Sequence, residues 1–279
     1  MDTNPSGSFL QALENAGLSM VKPDIQADGR LHRYRVVGDK AGSSNGWYVL
    51  HLDGQPFGAF GSWKTSQSLT WTANRPETLS PAEQADLKAH YAATKRARDE
   101  EQEKVWDNAT ARAKRLWGLA QPADHRHPYL TKKGVKAYGI RLLGESLLIP
   151  LRDTSGHLVS LQFILPEGGK RFLTGGRKRG CYYAIGRPDG DLCICEGYAT
   201  AASVYEATGY ATACAFDAGN LEPVARCLRV KFPRIRLILC ADNDVGTPGN
   251  PGVRQAIVAA RAVRGLIAIP SFKEMSCTP

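Results

Sequence analysis

The 279-residue sequence predicts an α/β protein: a parallel sheet flanked by helices towards the C-terminus, preceded by an α+β subdomain and a small β-rich N-terminal unit. Three observations lead there. Leu192-Cys193-Ile194-Cys195 and Leu237-Ile238-Leu239-Cys240-Ala241 are short apolar runs without period-two alternation, as in strands buried on both faces. Between them lie a helix pattern, 198–208, stopped by Gly209, an apolar run, 210–216, and a second helix pattern from Asn220 as N-cap to Val230, ended by Phe232-Pro233. The order is β-α-β-α-β, whose crossovers should be right-handed. By contrast, 31–71 carries strand-like segments, with Asp53-Gly54 as a hairpin signal.

Both apolar runs end in acids followed by glycine. Glu196 follows the first run, and Asp242 and Asp244 follow the third, about 46 residues later. Strand C-termini of open α/β sheets form the crevice where ligands bind. If the first and third strands are neighbours, the three carboxylates converge and repel unless a divalent cation sits among them. Hard oxygen donors favour Mg2+ or Mn2+. Asp217, just after the second strand, is a secondary candidate on the same edge.

A glutamate-glycine after one buried strand and aspartate-x-aspartate after a later one resembles the Toprim domain of DnaG-type primases, topoisomerases and some nucleases. The wording CEGYATAASVYEATG, AFDAGNL and LILCADNDVG most resembles the Toprim primases of phages, prophages and plasmids. The resemblance implies a Toprim parallel sheet, with Glu196, Asp242 and Asp244 as catalytic metal ligands. In related primases further acids after the next strand help to hold a second metal; here that region offers only Glu274.

The formal charge of +9, from 36 Lys and Arg against 27 Asp and Glu, favours a polyanionic partner. Seven cysteines and no C-x-x-C argue for thiols in a reducing cytoplasm and against a zinc ribbon. Neither a signal peptide nor an apolar run long enough to span a membrane occurs, so a cytoplasmic protein without membrane contact is expected. At this length no fused helicase is expected.

In chain order, 1–7 reads as a loose tail and Ser8 as the cap of a helix with Phe9, Leu10, Leu13 and Ala16 on its apolar stripe. The β-rich unit, 1–76, holds Trp47, Trp63 and Trp71 among Arg33, Arg35, Lys40 and Lys64. Such rings can stack on unpaired bases or form the core of a small domain, and the core reading is favoured. Ser80-Pro81-Ala82-Glu83 is a capping box that opens a helix to Leu119, within a linking segment 77–120. Its Trp106, Ala109, Ala113, Leu116 and Trp117 should dock on the catalytic body C-terminal to it.

Residues 121–186 form the next subdomain. His125 and His127 lack a third ligand for a metal site. HPYLTKKGVKAYGIRL, the hairpin 147–164, Lys170-Arg171-Phe172-Leu173 and 181–186 resemble, in that order, the catalytic N-terminal subdomain of DnaG primases. On that resemblance Lys170 contacts incoming triphosphate or template. Arg171, Arg177, Lys178 and Arg179 extend a basic nucleotide-binding rim, made flexible by Gly175, Gly176 and Gly180, without a Walker loop. The remaining 187–279 is the Toprim segment, closing with a helix from Gly252 to Arg264 and a strand at 266–269.

The expected function is therefore a DNA primase making short RNA primers on single-stranded DNA by metal-dependent nucleotidyl transfer. Its expected partners are a single-stranded template, nucleoside triphosphates and, as a candidate, a replicative helicase. Two alternatives stay open: a Toprim nuclease, and a non-catalytic single-stranded DNA-binding replication module.

Overall fold

A computed structural model describes residues 4–53, 56–65, 67–73, 80–243 and 246–270, the side chains of residues 83 and 87 excepted. The chain falls into two compact units, Met1–Glu103 and Lys104–Pro279. Among the described residues no helix is long and apolar enough to cross a membrane.

In the first unit, helix α1 (Pro5–Asn15) starts earlier than the Ser8 cap predicts and takes in part of the expected tail. The Asn4 side chain accepts a hydrogen bond from the Ser6 amide at 3.1 Å, and Pro5 supplies a pre-set φ in the first turn, so the better cap wins. Strands β1 (His32–Tyr34), β2 (Gly46–His51), β3 (Phe57–Ser62) and β4 (Gln67–Thr72) form one antiparallel sheet in that order. The β2–β3 hairpin forms with His51 opposite Phe57, while Gly54 of the expected turn lies outside the described residues.

Tyr48, Phe60 and Trp71 pack on Phe9 of α1 from one face. The opposite face meets the first half of helix α2 (Pro81–Leu119), where Tyr91 sits edge-on to Phe57 and Arg98 lies over Trp47. Trp47 is only 2% exposed, and Trp63 lies under Arg33 at 4.4 Å. Trp47 thus takes the core reading and Trp71 packs half-buried on the core around Phe9, while Trp63 is half-buried beneath Arg33.

The second unit holds two sheets. Strands β5 (Gln121–Pro122), β6 (Arg141–Leu143), β7 (Ser146–Arg152), β8 (Leu158–Ile164) and β9 (Lys170–Phe172) form an antiparallel meander in chain order, with the short helix α3 (Pro128–Lys133) between β5 and β6. Alternation along β7 sends Leu147, Ile149 and Leu151 to one face. Leu148 goes to the other, against Leu161, Leu173 and the Ala109 and Ala113 of α2.

The second sheet is ordered β10 (Tyr183–Ile185), β12 (Ala211–Cys214), β11 (Asp191–Cys195), β13 (Arg236–Cys240), β14 (Leu266–Ala268). All pairs are parallel except β10 with β12, so a strand expected in the preceding subdomain closes this sheet as an antiparallel edge. Helix α4 (Tyr198–Thr208) covers one face; α5 (Leu221–Lys231) and α6 (Pro251–Val263) cover the other, as right-handed crossovers in opposite winding directions require.

One continuous core joins the two sheets. Leu147, Ile149, Leu151 and Ile164 of the meander share it with Cys193, Cys195, Tyr198, Cys214 and Cys240. Each buried aliphatic side chain there stabilises by roughly 1.5–3 kcal/mol over its exposed state. A polar clamp adds direction: the Tyr198 hydroxyl accepts from the Tyr138 amide at 2.8 Å and donates to the Lys136 carbonyl at 2.9 Å.

Candidate active site

Chain winding puts the crevice between β11 and β13. From β11 the chain crosses by α4 to β12 on one side, then by α5 to β13 on the other, so the strand order reverses there. Such a switch point leaves a cleft at the strand C-termini. β11 and β13 pair in parallel with Cys195 opposite Cys240, so Glu196 and Asp242 leave the same edge of neighbouring strands. The condition for convergence, that the first and third strands adjoin, is met.

Helix α4 starts directly after Glu196. In its first turn, the Thr200 hydroxyl donates to Asp242 Oδ1 at 3.1 Å. A Cβ built on Gly197 would lie 3.7 Å from the Lys170 Nζ and 4.0 Å from Thr200 Oγ1, which brings Lys170 of β9 to the same place. Beneath them the buried Cys214 thiol donates to the Glu196 carbonyl at 3.6 Å. Burial first pushes that thiol up to about 12; the Phe216 amide and Lys170 pull it down, and Asp242 and Glu196 add to the rise. A single sulfur therefore feels Lys170, Glu196 and Asp242 together.

Tyr129 of α3 joins them from the meander side. It is 3% exposed, and its hydroxyl has no hydrogen-bond partner among the described residues. Burial, then Cys214 and Asp242, push this phenol up to about 12.

Asp242 is also held from the α6 side. A Cβ on Gly252 would come within 2.4 Å of the Asp242 carbonyl oxygen, so only glycine allows the first turn of α6 to approach that strand end. Next along, Asn250 donates to Asn243 Oδ1 at 2.7 Å, and Asn243 donates to the Pro270 carbonyl at 2.9 Å. Asp244 and Glu274 lie outside the described residues. Among the described residues no group of three His, Cys, Asp or Glu side chains is placed to hold a metal. Two carboxylates on adjacent strand ends do suit a hard cation that completes its shell with water and substrate phosphates, the usual arrangement for Mg2+.

The basic rim divides. Lys170, Arg171 and Arg179 are exposed. Arg177 is turned to Asp153 at 3.4 Å and to the Trp106 ring at 5.8 Å, and Lys178 forms an ion pair with Asp217. The flexibility expected of the rim glycines does not extend to Gly176. A Cβ on Gly176 would meet Ser160 Oγ at 2.0 Å, so this glycine serves close packing.

Asn220 pins the rest of that loop. Buried at the start of α5, it accepts from the Gly180 amide at 2.8 Å and donates towards the carbonyls of Lys178, Cys181 and Ala215 at 3.2, 3.1 and 2.8 Å. Phe216 beside it has φ 76°, a left-handed backbone that bulky residues rarely adopt, and packs edge-on to Phe172. His127 caps α3 and contacts the Glu145 carbonyl at 3.0 Å, while His125 is exposed beside Asp124.

Sequence reasoning did not find Thr200, Tyr129 or Gly252 and took Asn220 for a helix cap alone. Thr200 had one available signal: it stands four residues after Glu196, on the same face of a helix that starts there.

Comparisons with known proteins bear on this site. Residues 190–267 match the Toprim domain, which covers β11 to β14 and α4 to α6. A DNA primase TraC of Escherichia coli is 38% identical over 283 residues, 96% of this chain and 26% of that protein. A second Escherichia coli DNA primase TraC is 39% identical over 284 residues, again 96% of this chain and 20% of that protein. The chain thus spans about a quarter or a fifth of the length of these curated relatives. Among solved structures, the primase fragment of the bacteriophage T7 primase-helicase protein gives a TM-score of 0.40 at 14% identity, covering 52% of this chain and 64% of that one. The DnaG catalytic core gives 0.39 at 14%, covering 62% and 73%.

Proposed function

We propose that this chain is a DNA primase that makes short RNA primers on single-stranded DNA by metal-dependent nucleotidyl transfer. The observation that supports the reading is that Glu196 and Asp242 follow the paired ends of β11 and β13 at the switch point, with the Lys170 Nζ beside Gly197. In this reading Glu196 and Asp242, with Asp244, hold Mg2+ or Mn2+, which when bound neutralises charge on the triphosphate. Lys170, with Arg171 and Arg179 on the exposed rim, binds phosphate oxygens, and Arg177 and Lys178 shape that rim. The 3′ hydroxyl of the primer or first nucleotide attacks the α-phosphorus and pyrophosphate leaves, so no side-chain nucleophile is needed. In this reading the chain's own contribution is placement, with cationic side chains for the phosphates and carboxylates for the cation.

The same reading assigns 1–76 to a β-rich unit, 77–120 to a linking helix, 121–186 to a primase-like subdomain whose last strand, β10, closes the sheet of the next, and 187–279 to the Toprim segment. Its partners are single-stranded DNA and nucleoside triphosphates, with a replicative helicase as a candidate. Six free cysteines among the described residues fit a reducing cytoplasm.

The test is template-directed RNA synthesis on mixed-sequence single strands with Mg2+. Asp242→Asn and Glu196→Gln should each lower the rate by about 100-fold or more. An unaltered rate in Asp242→Asn rejects the assignment, and metal-dependent loss of labelled strands without nucleotide incorporation replaces it with a nuclease.

A further inference from the structure

We infer that Thr200 is a positioning residue that sets the carboxylate of Asp242 for the cation, an inference that rests on the proposed metal role of Asp242. Thr200 stands in the first turn of α4, one helical turn beyond Glu196. A threonine inside a helix commonly turns its hydroxyl back to the carbonyl three or four residues earlier. Here the hydroxyl crosses to the neighbouring strand end and donates to Asp242 Oδ1 at 3.1 Å. The carbonyl four residues back, that of Glu196, takes the Cys214 thiol instead.

The backbone of Asp242 is set from the opposite side. Gly252 of α6 packs so closely that a Cβ would come within 2.4 Å of the Asp242 carbonyl oxygen, and Asn250 brackets Asn243. The main chain is thus located by α6 and the carboxylate by α4. A hydrogen bond from outside the ligand shell fixes which way a carboxylate oxygen faces, and losing such a bond typically costs about 10–100-fold in metal affinity. Since Gly197, directly after Glu196, is the N-cap of α4, Thr200 also ties the placement of Asp242 to the strand end that carries Glu196. The backbone at Glu196 and the carboxylate of Asp242 are therefore linked through one turn of helix as well as through the sheet.

The experiment uses the full chain and Mn2+ alone as the probe, with binding followed by electron paramagnetic resonance and by calorimetry. Thr200→Val, nearly isosteric but without the hydroxyl, should weaken Mn2+ binding by about 10–100-fold and raise the Mg2+ concentration for half-maximal priming by a similar factor, with the thermal midpoint unmoved. Thr200→Ser, which keeps the hydroxyl, should bind Mn2+ within about threefold of the parent. Asp242→Asn is the control, expected to lose the site. Parental Mn2+ affinity in Thr200→Val while Asp242→Asn loses binding overturns the role of Thr200 alone. Equal weakening in Thr200→Ser and Thr200→Val also overturns it, because then the hydroxyl is not what matters. Parental binding in Asp242→Asn overturns the metal reading itself.

Discussion

Asn220 bonds with one side chain to backbone groups of the loop 178–181 and to the Ala215 carbonyl. Its amide reaches three carbonyls and its oxygen takes the Gly180 amide, all within the protein interior or at its margin. Asn220→Ala should lower stability by about 2–4 kcal/mol in a urea titration, because several desolvated polar groups lose their partner at once. Tyr129 poses the opposite case. Its buried hydroxyl meets no hydrogen-bond partner among the described residues, so Tyr129→Phe should raise stability by about 1 kcal/mol; a loss of that size would mean that the hydroxyl is satisfied in solution. Sequence patterns could single out Glu196, Asp242 and Lys170 as candidates because each stands at a recognisable place in a strand or motif. They could not find Thr200 or Tyr129, whose importance comes from what lies across space. A hydroxyl in a helix reads the same whether it faces solvent or a carboxylate.

At the scale of elements, the apolar runs 192–195 and 237–241 marked the strands and Gly209 marked a helix end, and all three survive in β11, β13 and α4. Neighbour order was not legible, since burial on both faces tells nothing about which strand lies beside which. The placement of β10 on the edge of the parallel sheet is one consequence. Glycine was read as freedom, yet Gly176 and Gly252 serve contact. Gly252→Ala should leave the fold intact at a cost of about 1–3 kcal/mol and lower priming activity by displacing Asp242, measured by thermal midpoint and rate together. At the other end of these strands, Arg236 bonds both oxygens of Asp191 at 2.5 and 2.8 Å, and that bond holds the Asp191 carboxyl below its ordinary 3.8. A depressed carboxyl stabilises the fold above its unfolded value, and that contribution is lost as pH falls through the folded value. The stability gap between the parent and Asp191→Asn should therefore be present at neutral pH and close as the pH falls below 3.8, as read from denaturation midpoints across pH.

For the whole molecule, 36 basic against 27 acidic residues leave a formal charge of +9. Single-strand binding should weaken with salt on a log-log slope of about −0.7 for each phosphate neutralised, measured by fluorescence anisotropy; a flat response would remove the electrostatic basis for a polyanionic partner. In the second unit the meander and the parallel sheet bury their inner faces in the same core. A fragment cut free near residue 187 would turn Cys193, Cys195, Tyr198 and Cys214 out to water as a bare greasy wall, and should clump or be digested quickly by trypsin. The strand ends proposed to hold the cation thus share their foundation with the meander, and the two should melt as one.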